Sequence, residues 1–109
     1  MVKFDGVFKL TPSSKSDLLE IARYTESQWG IEQRNKYLRK LDECFRLLAG
    51  NPHLGKDRSE IGSGYRSMVE GSHVIFYTIK ESHIEIIGIP HASEDLDNIF
   101  SNSTDEPSR

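Results

Sequence analysis

Residues 11–50 read TPSSKSDLLEIARYTESQWGIEQRNKYLRKLDECFRLLAG, and this stretch decides the fold. Thr11-Pro12 is typical of a helix start, because threonine caps free backbone N–H groups and proline fits the first helical position. Gly30 can end one helix, and only Gly30 and its neighbours separate this helix from the next one. We therefore predict a tight antiparallel helical hairpin. Positions expected to face the core recur at three- and four-residue steps. They are Leu18, Ile21, Ala22, Thr25 and Trp29 in the first helix, and Leu38, Leu41, Phe45 and Leu48, supported by Tyr37 and Cys44, in the second.

On either side of the hairpin the apolar period changes to two, which predicts β-strands. Residues 51–64 are rich in glycine and proline and are predicted to form a loop. Gly71-Ser72 fits a two-residue hairpin turn, because its first position needs a positive φ. The sequence therefore predicts an α+β fold of order β-α-α-β-β-β, an antiparallel sheet packed against the helical hairpin. The predicted strands cover residues 6–10, 65–70, 73–79 and 84–89.

The composition predicts one small domain. The chain has 109 residues, of which 36% are hydrophobic and 28% charged, and one core commonly forms at about 100 to 150 residues. We expect this domain at residues 1–100 and a disordered tail at 101–109, which lacks aliphatic and aromatic residues. The apolar runs are too short for a membrane span, and the first residues lack the apolar segment of a secretory signal. The expected location is the cytoplasm.

Cysteine and histidine usage gives no sign of a metal or a cofactor. The single cysteine, Cys44, cannot form a disulfide within the chain. The four histidines lack the close spacing that metal ligands use. Gly62-Ser63-Gly64-Tyr65 lacks the lysine of a phosphate-binding loop. We therefore predict no metal site and no cofactor.

The net charge of −3 is unevenly distributed. Residues 1–60 carry eleven basic and nine acidic side chains, a balance of +2, whereas residues 61–109 carry three and eight, a balance of −5. Nucleic-acid binding depends mainly on neutralising phosphates. An acidic second half therefore argues against nucleic-acid binding by the free protein. The basic run of Arg34, Lys36, Arg39 and Lys40 on the second helix fits a solvated face or a docking surface.

Two possible catalytic groups lie in the second half of the chain. His91 with Asp95 has the composition of an acid/base pair, but the sequence favours a histidine that hydrogen-bonds at a strand end and orders the C-terminal segment. Arg66, beside Tyr65, could stabilise a phosphate, but an ion pair with a neighbouring acid is the simpler expectation.

At this level of detail the sequence resembles the ParE-type toxins of bacterial type II toxin-antitoxin systems, within the RelE/ParE superfamily. The resemblance covers about residues 7–100 and rests on the joint order of many short motifs. They are Leu10-Thr11, Asp17-Leu18, Ile21, Tyr24-Thr25, Trp29-Gly30, Gln33-Arg34, Tyr37-Leu38, Leu48, Asn51-Pro52, Leu54-Gly55-Lys56, Gly64-Tyr65-Arg66, the run from Gly71 to Tyr77, Ile89-Pro90-His91 and Asp95.

The resemblance implies a growth-inhibiting toxin without enzymatic activity, which binds DNA gyrase, traps its cleaved-DNA complex and so blocks replication. It also implies a ParD-like antitoxin that forms a hetero-oligomer with the toxin. A disordered antitoxin segment can lay an amphipathic helix in an apolar groove and add a strand to a sheet edge. We assign antitoxin binding to Leu19, Tyr24, Tyr37, Tyr65, Met68 and Ile79, and target binding to Arg66, His91 and Asp95. No residue is assigned a catalytic role.

Two alternative functions remain open. RelE-type relatives cut mRNA on the ribosome with basic residues of the sheet and a tyrosine near the C-terminus. This sequence has Glu70 on the first of the three later strands and Phe100 near its end, which disfavours that activity. It also has Glu94 where the ParE toxins usually have methionine or arginine. The second alternative is a non-toxic antitoxin-binding module.

Overall fold

The computed structural model describes residues 7–93, which form two helices and five strands. Helix α1 spans Pro12–Trp29 and helix α2 spans Ile31–Gly50. The Thr11 side chain accepts a hydrogen bond from the Ser14 N–H at 3.1 Å, which confirms the predicted start of α1. Gly30 has φ +95° and ends α1 while beginning α2. The hairpin is therefore confirmed.

The strands form one sheet of order β1-β5-β4-β3-β2. Its neighbouring strands are antiparallel except β1 and β5, which are parallel. The sheet is thus mixed, and the prediction of an antiparallel sheet was incomplete. The helical hairpin lies between β1 and the later strands in the sequence, and such a long connection allows β1 to pair in parallel with β5. The strands are β1 at Phe8–Leu10, β2 at Lys56–Asp57, β3 at Arg66–Glu70, β4 at His73–Ile79 and β5 at Ile84–Gly88.

Three details differ from the sequence prediction. The two-residue strand β2 lies within the predicted loop at 51–64; it pairs with β3 at the sheet edge, and such a short exposed strand has no period to detect. Val7 precedes β1, Tyr65 precedes β3 and Ile89 follows β5, so all three strands are shorter than predicted. Trp29 is 70% exposed instead of facing the core, because it is the last residue of α1, where the chain turns away. Gly6 and the tail at 101–109 lie outside the described residues.

The core forms where the hairpin covers one face of the sheet. Tyr77 and Ile75 of β4 are fully buried beneath Leu41 and Leu48 of α2. Cys44 is also buried, and burial raises the pKa of its thiol to about 11. Gly71 has φ +57° and joins Glu70 to its cross-strand partner His73 through a two-residue turn, as predicted.

Adjacent leucines on α2 allow a test of this packing. Leu48 is fully buried and Leu47 is 49% exposed. We expect Leu48→Ala to lower the free energy of unfolding by about 2 to 5 kcal/mol, because it leaves a cavity in the core. Leu47→Ala should change it by no more than about 0.5 kcal/mol. Urea unfolding followed by circular dichroism measures both, and equal effects would contradict the orientation of α2.

Candidate functional site

An apolar groove of about 460 Å³ lies between the helical hairpin and β1. On α1 it is bordered by residues three, four and seven apart, so the side chains share one face of the helix. Leu19 stands at this groove and is 52% exposed. The lining residues are Phe8, Leu10, Lys15, Leu18, Leu19, Ala22, Leu38, Asp42 and Phe45.

The floor of this groove is held by aromatic packing. The rings of Phe8 and Phe45 lie 5.2 Å apart between centroids, which joins β1 to α2. The guanidinium of Arg46 lies over the Phe8 ring, 5.5 Å from its centre. β1 is the last strand of the sheet order, so among residues 7–93 its second edge has no paired strand. The groove therefore adjoins an open strand edge.

A second concave surface, of about 420 Å³, lies where the hairpin meets the turn between β3 and β4. Its walls include two aromatic residues of α1, Tyr24 and Trp29, which are 61% and 70% exposed. Tyr37, Ser72, His73 and His91 complete one side, together with Thr25 and Gln33.

The Tyr37 hydroxyl has three polar neighbours in this surface. It lies 3.0 Å from the Glu70 carbonyl, 3.1 Å from the Ser72 N–H and 2.7 Å from Nδ1 of His73. A phenol has one hydrogen to donate and two lone pairs. It donates to the Glu70 carbonyl and accepts from Ser72, so the His73 nitrogen is assigned as a donor. Burial is the main cause that raises the pKa of Tyr37.

Tyr37 also explains why glycine occupies the turn. A Cβ on Gly71 would lie 2.7 Å from the Tyr37 ring, and its φ of +57° already favours glycine. The hydroxyl and the ring together fix the turn against α2.

The sequence matches the family described as "ParE toxin of type II toxin-antitoxin system, parDE" over residues 8–96. The chain belongs to this ParE toxin family. It is 35% identical over 91 residues to Toxin ParE1 of Mycobacterium tuberculosis, covering 83% of this chain and 93% of that protein. It is 36% identical over 86 residues to Toxin ParE1 of Caulobacter vibrioides, covering 79% and 88%.

A solved structure described as "Chromosomal ParDE TA system from P. aeruginosa" has the same fold. It superposes with a TM-score of 0.67 at 20% identity and covers 84% of this chain and 96% of that chain. The α+β arrangement predicted from the sequence is thereby confirmed, with its sheet mixed.

The six residues assigned to antitoxin binding are spread over the ParE fold. Leu19 lies at the apolar groove, and Tyr24 and Tyr37 lie at the second concave surface. Met68 and Ile79 are partly buried and pack against the core. Tyr65 is half-buried with its ring 6.5 Å from that of Phe76. Their roles in binding stay predictions.

The residues assigned to target binding are also separated. His91 Nδ1 accepts a hydrogen bond from the Ser93 N–H at 3.0 Å, and its ring lies 5.1 Å from that of His73. Arg66 donates to the backbone carbonyls of Gly55 and His53, where the sequence had suggested an acidic partner. Asp95, the suggested partner of His91, lies outside the described residues.

Sequence reasoning missed several exposed apolar side chains. Ile31, Leu54 and Val69 are 53%, 50% and 66% exposed. Leu54 had a signal in the sequence, because Asn51-Pro52 and Gly55 mark a turn around it. Val69 lies on an alternating strand whose exposed face the sequence does not identify. Among residues 7–93 no helix is long and apolar enough to cross a membrane, and no group of metal ligands occurs.

The contribution of the Tyr37 hydroxyl to stability can be tested by removing it. Tyr37→Phe leaves the Ser72 N–H and the Glu70 carbonyl without this partner, so we expect a loss of about 1 to 3 kcal/mol in the free energy of unfolding. Tyr24→Phe is the control, because this exposed tyrosine should cost no more than about 0.5 kcal/mol. Chemical unfolding measures both, and a Tyr37→Phe variant as stable as the parent would show that the turn does not depend on the hydroxyl.

Proposed function

We propose that this chain is a non-enzymatic toxin of the cytoplasm that binds DNA gyrase, traps its cleaved-DNA complex and is neutralised by a ParD-like antitoxin. The observation that carries the proposal is the match to the ParE toxin family over residues 8–96. Membership in that family makes the chain a toxin of a type II system, and the residues of the fold support the more specific mechanism.

The groove between the hairpin and β1 suits an antitoxin segment. Apolar groups dominate its lining, and an amphipathic helix binds such a groove through side chains at positions i, i+3, i+4 and i+7. Leu19 is half-exposed there, so a bound antitoxin helix can bury its side chain. The neighbouring open edge of β1 can accept an added strand, which is the second mode of peptide binding that a disordered antitoxin can use.

The separation of Arg66 from His91 supports a non-enzymatic mechanism. His91 forms a bridge with His73, which pairs with Glu70 at the far end of β3 from Arg66. The four residue steps from Arg66 to Glu70 along β3 correspond to roughly 13 Å. Hydrogen bonds to the Gly55 carbonyl hold the Arg66 guanidinium at its end of β3. Backbone positions so far apart do not favour joint action of the two side chains on one phosphodiester.

The gyrase assignment has a direct test. The purified chain, incubated with gyrase holoenzyme, ATP and supercoiled plasmid, should increase the amount of linear plasmid released by detergent and protease. Adding a ParD-like antitoxin should abolish the increase.

The same preparation can be added to a translation extract. Translation arrest without any effect on gyrase would contradict the proposal and favour a ribosome-dependent mRNA endonuclease. In that case His91→Ala or Arg66→Ala should abolish RNA cutting. Harmless expression in cells that lack the antitoxin would instead favour a non-toxic binding module.

The antitoxin groove predicts a specific loss of affinity. We expect Leu19→Ala to weaken binding of a ParD-like antitoxin about tenfold, because a buried apolar anchor is worth that much at an interface. Leu47→Ala is the matched control, since Leu47 is similarly exposed at 49% but lies outside the groove lining. Calorimetric titration measures both affinities, and an unchanged affinity for Leu19→Ala would place the antitoxin elsewhere.

A further inference from the structure

A cleft of about 700 Å³ lies between α1 and the end of the sheet. Its wall on α1 includes Asp17, Glu20, Ile21 and Tyr24. These positions are three, four and seven residues apart, so they share one face of the helix. The opposite wall is the chain that begins at Ile87 near the end of β5. We call this depression the acidic cleft.

The acidic cleft and the apolar groove lie on different faces of α1. An α-helix turns by about 100° per residue, which places the centres of the two sets of α1 residues roughly 160° apart around the helix. Leu19 borders the groove and Glu20, the next residue, borders the cleft. A chain that crosses the exposed side of α1 can therefore pass from one site to the other within a few residues.

The acidic cleft carries negative charge that the protein does not neutralise itself. Glu20 is exposed and forms no hydrogen bond or ion pair within residues 7–93. Asp17 Oδ2 accepts a hydrogen bond from the Ile89 N–H at 2.8 Å, and this carboxylate likewise forms no ion pair within that range. Of the described residues that line the cleft, none is lysine or arginine. The cleft is therefore suited to a positively charged group.

Exposed aromatic side chains continue from the acidic cleft. Tyr24, His73 and His91 border both the cleft and the second concave surface, so the two form one depression, with Trp29 at its far part. A cation is attracted to the face of an aromatic ring. A guanidinium stacks on such rings and also binds a carboxylate through two parallel hydrogen bonds. Carboxylates beside aromatic rings thus favour arginine as the side chain that binds here.

Charge argues against two other occupants of the acidic cleft. Residues 94–109 of this chain follow Ser93, which borders the cleft. They carry five acidic side chains and one basic side chain, so like charges oppose their binding beside Asp17 and Glu20. DNA held in a cleaved gyrase complex presents phosphates, and the same carboxylates repel them. A basic polypeptide segment meets neither obstacle.

We propose that the acidic cleft binds an arginine-bearing segment of the antitoxin. The arginine guanidinium lies between the carboxylates of Asp17 and Glu20, and apolar neighbours of the arginine pack on Tyr24 and Trp29. An antitoxin segment that orders only on binding can follow the surface of α1 from the apolar groove into the cleft. One antitoxin chain then holds α1 from both faces. The inference rests on the proposed function for the identity of the partner.

Neutralising one carboxylate tests the charge complementarity. Glu20→Gln should weaken binding of a ParD-like antitoxin about tenfold, as loss of one partner of an interfacial charge pair does. The loss should diminish at high salt, which screens charges. Glu43→Gln is the matched control, because Glu43 is also exposed, forms no ion pair within residues 7–93 and lies outside all three concave sites. Calorimetric titration at low and high salt measures both affinities.

A charge swap identifies the group that meets Glu20. Each arginine of the antitoxin is changed in turn to glutamate, and each variant is titrated against the parent toxin, Glu20→Lys and Glu43→Lys. One antitoxin variant should bind the parent weakly and bind Glu20→Lys about tenfold more tightly than it binds the parent. Glu43→Lys should give no such recovery. A merely structural role of Glu20 predicts no recovery with any antitoxin variant.

Unchanged antitoxin affinity for Glu20→Gln would overturn the inference and leave the proposed function intact. Reduced potency of Glu20→Gln on gyrase with unchanged antitoxin affinity would assign the acidic cleft to the target, which also overturns the inference. If the parent binds the antitoxin but has no effect on gyrase, the gyrase part of the proposed function fails, and the titrations still decide the inference. A parent chain that binds no ParD-like antitoxin would overturn the inference together with the proposed partner.

Discussion

The reversal of the chain at Gly30 is the constraint on which the rest of the structure depends. With φ +95°, this residue ends α1 and begins α2, and glycine adopts such a conformation without the cost that a Cβ would add. Two long amphipathic helices must then lie side by side and cover the same sheet face. The apolar groove and the concave surface at Tyr24 and Tyr37 both lie along this hairpin. Both concave surfaces therefore depend on this backbone position.

β4 connects the core beneath the hairpin to the loop before β2. Ile75 and Tyr77 are fully buried beneath the hairpin, and the Tyr77 hydroxyl reaches the loop before β2. Burying a tyrosine is favourable when its hydroxyl is hydrogen-bonded, as it is here. The same side chain thus contributes to the core and to the order of an exposed loop. A change in core packing around Tyr77 would consequently reach the surface at Leu54.

The parts of the fold that the sequence predicts are those with strong periodicity or obligatory turn residues. Both helices, the hairpin at Gly30 and the turn at Gly71 are of this kind, because apolar spacing and positive φ leave direct marks in a sequence. β2 has two residues and no alternation, so it escaped prediction. The partner of Arg66 escaped for another reason. Its hydrogen bonds go to carbonyl groups of Gly55 and His53, and backbone acceptors are independent of residue type.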